Sequence, residues 1–419
     1  MTETGAEWRA PLRVPRFRAL WLGGALSWYG DFLTLPALVI ICYDLGGELA
    51  VGLLFVSQMV PALALLPIGG RLGDCGDRRR RLVALDMVRA SLAGLTIVAA
   101  EGHLLFFVLI ATAAARSASA LYDPGRRRLV AVLLPPAMVA AGSSLLSVVS
   151  ETALFVAPGL GALLMLIFHL QPVALITVDG LTFLLSAVLI QRIGPQPAQW
   201  GTRAYTRQPV WPSLRRGFEL LLFEPTTRLF AVQAALGAAL ASVIQVYFVP
   251  LARYTFHAGT NQVGVMYVVV GIASVLASAV AVRLPKVSRR SVVIIGYVHL
   301  AVAALVGMML GAGLVVAAVV VFAGSGALQE VWGFNRIQTR TPSEGVGQAM
   351  GAGLWCMYLG RALGAVAATW GATHLSRQEF MIFLTIAAVA LCLVVSLAGQ
   401  FHWRRNVEVW PPGGPSLPF

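Results

Sequence analysis

Apolar residues fill this chain in long blocks, punctuated by short polar or basic segments. Runs long enough to cross a bilayer fall at 17–42, 50–72, 82–101, 104–122, 138–168, 171–193, 226–252, 262–283, 291–311, 313–338, 347–374 and 378–400. A helix needs about 20 such residues to span the hydrocarbon, so each run predicts one transmembrane helix. The run at 138–168 exceeds that length, and tilt or a kink is expected there. The pattern predicts an all-α membrane protein of twelve transmembrane helices in two six-helix bundles.

Between the sixth and seventh runs the pattern changes. The stretch GPQPAQWGTRAYTRQPVWP lacks an apolar period and reads as a linker. SLRRGFELLLF follows, with Ser213 as N-cap and with Phe218, Leu221 and Leu222 on one face. That spacing predicts an amphipathic helix on the inner leaflet. The chain thus divides into an N-terminal half (1–193), a cytoplasmic linker (194–225), a C-terminal half (226–400) and a cytoplasmic tail (401–419).

Charge gives this division an orientation. With odd spans running outward and even spans inward, 26 of the 31 basic residues fall on one side of the membrane. Arg89, Arg116 and Arg361 lie within spans, while Asp44, Glu48 and Glu101 mark the opposite loops. Basic residues collect on the cytoplasmic side, so both termini are expected in the cytoplasm and the protein in the inner (plasma) membrane. The N-terminal stretch does not read as a signal peptide, since Glu3 and Glu7 precede the arginines.

Composition excludes several other readings. The chain is 58% hydrophobic and 12% charged, too little polar surface for a soluble protein of 419 residues. The net charge of +13 sits in topogenic clusters without an aromatic-and-basic module, so no nucleic-acid partner is expected. The four cysteines are dispersed, which indicates neither a metal site nor a disulfide framework. Lys286 is the single lysine, so no phosphate-binding Walker loop exists and the chain cannot hydrolyse ATP through one. No hydrolase elbow or zinc-binding helix motif is present, and neither an enzyme nor a cofactor is expected.

The segment GGRLGDCGDRRRR, between spans two and three, resembles the signature loop of the major facilitator superfamily. Gly70, Leu72, Asp74, Arg78 and Arg79 match that loop, while Cys75 and Asp77 depart from it. Gly30-Asp31, YDPGRRRLVAVLLP, DGLTFLLSA and PSEGVGQAMGA are similar to the drug–proton antiporter branch that includes macrolide-efflux-like permeases. The resemblance implies the major facilitator fold, with the loop acting as a conformational gate through Gly70, Asp74, Arg78 and Arg79, and with Asp123 as a partner. In span five, ALFVAPGLGAL resembles the antiporter motif, with alanines at three of its glycine positions. Ala157, Pro158 and Gly161 carry that likeness. Independently of it, Pro158 removes a backbone donor and the small residues allow close packing.

Charge within hydrocarbon costs a few kcal/mol or more, so its bearers need reasons. Asp31, Glu151 and Arg361 lie at one depth in spans one, five and eleven, about 20 Å from the cytoplasmic end. They are candidates for proton coupling beside a substrate cavity, with Arg361 as the counter-charge; a static ion pair fixing helix packing is the competing reading. Glu330 and Trp332 in span ten suit an organic cation or an interfacial belt. Asp86 and Arg89, spaced i, i+3, read as a structural pair, and Asp179 as a bond between helices.

These observations predict a monomeric secondary transporter that exports a lipophilic or cationic small molecule in exchange for protons by alternating access, with lipids as its surroundings. An importer or facilitator of the same fold is the nearest alternative. A membrane receptor or scaffold that does not transport is the alternative from another class.

Overall fold

The computed structural model describes residues 9–72, 77–194, 210–247, 261–283, 289–307, 312–341 and 345–376, with scattered positions after these up to 394. After a 3-10 turn at Ala10–Arg13, the helices are α1 (Pro15–Leu33), α2 (Leu35–Leu72), α3 (Arg78–Glu101), α4 (Leu105–Leu133), α5 (Pro136–Phe168) and α6 (Pro172–Gln191). There follow α7 (Val210–Phe223), α8 (Pro225–Val246), α9 (Asn261–Arg283), α10 (Arg289–Gly307), α11 (Ala312–Arg340) and α12 (Val346–His374). Each of the first eleven expected spans coincides with a helix or part of one. The twelfth, 378–400, falls largely outside the described residues, as do most of the linker and the tail. Among the described residues, seven helical segments are long and apolar enough to cross a membrane by length and composition alone. The first of these, Pro15–Leu65, has the length of two passes.

Local chemistry explains where these helices begin and bend. Proline opens α1, α5, α6 and α8, where its missing N–H costs nothing and its ring presets φ. Asp77 caps α3 by accepting the Arg80 N–H at 3.2 Å, and Glu224 caps α8 by accepting that of Thr227 at 2.6 Å. Span one breaks at Thr34, between α1 and α2. Pro36, two residues on, has no N–H to offer the Phe32 carbonyl. Within α2 the helix is interrupted at Gly46 and Gly47, which join spans one and two; Gly47 is at φ +63°, a conformation that suits glycine.

Burial shows how the halves meet. One core combines Val39, Ile41, Val51 and Phe55 of the N-terminal half with Leu240, Ile244, Tyr267 and Ala365 of the C-terminal half. At the arginine-rich end the cores are separate. Phe17, Leu82, Leu129 and Ile190 belong to the first half alone, and Leu221, Phe230, Ile337 and Ala352 to the second. Across the shared end α5 packs on α9 and α2 on α12. Gly159 lies against the Tyr267 backbone, and Gly52 against Thr369. Small residues let the backbones approach where lipid supplies no hydrophobic drive. Within the second half, Gly360 and Gly364 of α12 meet the carbonyls of Ala235 and Ala239 of α8.

The linker helix departs from expectation. Ser213 lies inside α7 and accepts a hydrogen bond from Gln348 Nε2 at 3.3 Å, so it is no N-cap. Phe218 stands edge-to-face on Trp355, and Leu221 is fully buried, so both face protein. Gly217 makes this possible, because any Cβ there would strike the Gln348 carbonyl. Trp211, Leu222 and Phe223 remain exposed.

Candidate functional site

Four helices of the N-terminal half converge on one arginine. Arg89, on α3, is 1% exposed and places its guanidinium among α1, α4 and α6. Nη1 donates to Asp31 Oδ2 and to Ser119 Oγ, both at 3.3 Å. Nη2 donates to Ser27 Oγ at 2.9 Å and to Asp86 Oδ1. The rings of Tyr122 and Phe183 cover the guanidinium on α4 and α6, each with its centroid 4.2 Å from Cζ. Asp86 in turn accepts from Ser186 Oγ at 2.8 Å and Tyr122 Oη at 3.1 Å. A buried charge persists only when paired and hydrogen-bonded, and this group is both.

The carboxylate of Asp31 retains 14% exposure and faces a cavity of about 60 Å³. At roughly 10–15 Å³ of such volume per molecule, this has room for several waters. Thr34, Gln58, Arg89, Arg116 and Asp179 share its wall, and every lining residue belongs to the N-terminal half. Asp31 also sits three residues before the break at Thr34, whose Oγ1 donates to the Asp31 carbonyl at 3.0 Å. Gly30 explains the close fit of α6: a Cβ there would overlap Thr182 Oγ1 and Asp179 Oδ1.

A second arginine extends the cluster toward the arginine-rich end. Arg126 is buried, lies 3.3 Å from the ring centre of Trp28, and donates to the Gly24 carbonyl at 3.3 Å. It pairs with Asp123, one helical turn away on α4. Asp123, expected to partner the signature loop, therefore has its ion pair within its own helix. Its side chain is still 44% exposed. Arg79 donates to the Gln191 carbonyl at 3.3 Å, tying the start of α3 to the end of α6. Arg78 is half-buried, and Gly70 lies near the end of α2. Asp74 and Cys75 lie outside the described residues.

The other candidates are dispersed. Arg361 is half-buried on α12, and the counter-charge at Asp31 is Arg89 instead. Helical geometry is the reason: Asp31 faces α3 and α6, inside the N-terminal bundle and away from the second half. Glu151 is on α5, and its side chain lies outside the described residues. Glu330 and Trp332 are both half-buried on α11, but a spacing of two turns them to different faces of the helix. Ala157 is fully buried against Leu33, Ala37 and Leu175, and Gly161 meets the Leu33 carbonyl. Pro158 lies within the continuous helix α5. The C-terminal half holds an uncharged polar node on its third helix, where His299 Nδ1 lies 3.0 Å from the Phe322 carbonyl and 3.1 Å from Ser325 Oγ.

Sequence reasoning undervalued Arg89 and Asp179. Depth would have found them: Arg89 is eleven residues past the start of α3 and Asp179 twelve before the end of α6, so both lie about 17 Å in.

Two helical halves that share a core at one end, with a buried charge cluster inside the first of them, define a polytopic membrane protein with the architecture of a transporter. The Major Facilitator Superfamily profile matches residues 20–252, more than half the chain, and the chain belongs to that family. A bacterial homologue of the human lysosomal transporter Spinster, inward-facing and occupied, superposes with a TM-score of 0.67 at 15% identity, over 96% of this chain and 99% of that one. The nucleoside transporter NupG gives 0.65 at 11% identity, over 91% and 98%. The human organic anion transporter MFSD10 (TETRAN) gives 0.62 at 17% identity, over 92% and 99%. No curated protein matches the chain.

Proposed function

We propose that this protein is a proton-coupled exporter of lipophilic or cationic small molecules, in the drug–proton antiporter branch, with Asp31 carrying the coupling proton. The observation that carries the reading is the Asp31–Arg89 pair, a carboxylate held inside the bundle by one guanidinium and facing a cavity that Thr34, Gln58 and Asp179 also line. Protonation of Asp31 would leave Asp86 as the carboxylate paired with Arg89 and weaken one of the two bonds, to Asp31 and Ser27, by which Arg89 ties α3 to α1. The Thr34 break beside it gives α1 a place to bend. Alternating access supplies the rest: the halves share a core at one end and keep separate cores at the arginine-rich end, which is cytoplasmic by its charge in this reading. Asp74, Arg78 and Arg79 gate that end in this reading.

The test is Asp31→Asn, the permanently uncharged form, reconstituted in vesicles with ethidium as probe and an imposed pH gradient. Uphill accumulation should fall to the level of protein-free vesicles while downhill equilibration persists. Wild-type uphill export by the variant would remove Asp31 from coupling and make Glu151 the carboxylate to test. Flux in the opposite direction under the same gradient would identify an importer. Absence of all flux in the folded wild type would favour a receptor or scaffold.

A further inference from the structure

We propose that Asp31 and Asp179 form one proton-holding pair, sharing a single proton inside a chamber of the N-terminal half. The inference deepens the proton-coupling reading by adding a second carboxylate that nothing in that reading requires. Two carboxylates (Asp31 and Asp179) and two guanidiniums (Arg89 and Arg116) line this space, and a third carboxylate, Asp86, is bonded to Arg89. Asp86 is committed, accepting from Arg89, Tyr122 and Ser186. Arg89 has its remaining terminal nitrogen on Asp31. The described hydrogen bond to the Asp179 carboxylate is a long one from Thr182 Oγ1 at 3.4 Å. Asp179 lies beside Gly30 and within electrostatic range of both Asp31 and Arg89.

The remaining groups do not change the balance. From α4, Asp123 and Arg126 compensate each other, Tyr122 donates its hydroxyl to Asp86, and Arg116 lies 5.6 Å from the Phe32 ring centre, on the cavity wall. Arg127, further along α4, is exposed and reaches Ser147. Gln58, from α2, carries no charge. Among the described residues, one carboxylate therefore exceeds the cations around this space in a low-dielectric interior. Two like charges around a shared counter-charge do not both ionise there, and one proton restores neutrality. Because the described lining residues of this chamber all belong to the N-terminal half, the proton and a substrate between the halves would occupy different places.

Infrared difference spectroscopy of the full-length protein in lipid vesicles reads this directly, as the C=O stretch of a protonated carboxyl during pH steps from about 5 to 9. Wild type should give one carboxyl equivalent, lost in Asp179→Asn and in Asp31→Asn and kept in Glu151→Gln. Asp179→Glu, which retains the acid, should move the band without removing it and serves where the asparagine variant does not fold. Absence of the band in wild type, or an unmoved band in both Asp179 variants, overturns the pair. Loss of coupled export in Asp31→Asn together with an unmoved band in the Asp179 variants would leave the transport reading standing and remove this one.

Discussion

Consider replacing Arg89 with glutamine, which removes the charge and leaves a side chain of similar reach. Asp86, fully buried, would lose its cation, and Asp31 would lose its hydrogen bond from Nη1. Breaking one partner of a buried pair costs about 3–5 kcal/mol, because the charge left behind has no compensation. The two ring contacts at 4.2 Å would go as well, about 1–2 kcal/mol each when desolvated, although such terms overlap and do not add. For a half of roughly 200 residues, 4 kcal/mol corresponds to a fall of about 8–16 °C in thermal midpoint. The assay is thermal unfolding in detergent at one scan rate, followed by tryptophan fluorescence. Asp86→Asn in the same chain should restore a large part of the loss, because the orphaned carboxylate is then gone. A fall of less than about 3 °C, or a double variant as unstable as the sum of the singles, would refute the argument that this pair holds the bundle.

Further predictions follow from topology and packing. Cysteines placed at Gly47 or Gly259 should react with an impermeant reagent in intact cells, and ones at Gly201 or Gly413 should not; labelling of Gly201→Cys would sink the 6 + 6 orientation. Asp74→Asn should slow turnover with little change in substrate affinity if the signature loop is a gate, as read from ethidium flux and binding; an unchanged rate in folded protein removes the gate. Gly52→Val should hold the shared end open, since a Cβ there already overlaps Thr369. Cys42, fully buried in the shared core, would then label faster as the sole remaining cysteine, and an unchanged labelling rate would mean that the Gly52 contact does not close that end.

Much of the fold is legible in the sequence because the bilayer imposes a simple rule. A span must be about 20 apolar residues long, so hydropathy places the first eleven expected spans on helices of the structure. The depth of Asp31 is likewise a matter of counting along one helix. Rotation about the helix axis is a different matter. Helix α2 is apolar on nearly every side, so no polar stripe marks which of its faces meets which neighbour. Hence equal depth suggested Arg361 as the partner of Asp31, whereas tertiary packing gives it Arg89 and brings Asp179 to Gly30. The same holds for α7, whose amphipathic face suits lipid or protein equally until Gly217 lets it dock on α12. Sequence alone determined where the first eleven spans lie along the chain. Only the close helix contacts at Gly30, Gly52 and Gly159 decided which charges meet and at which end the halves join. Such contacts depend on helix rotation within a fraction of a turn, which apolar periodicity in a lipid solvent does not encode.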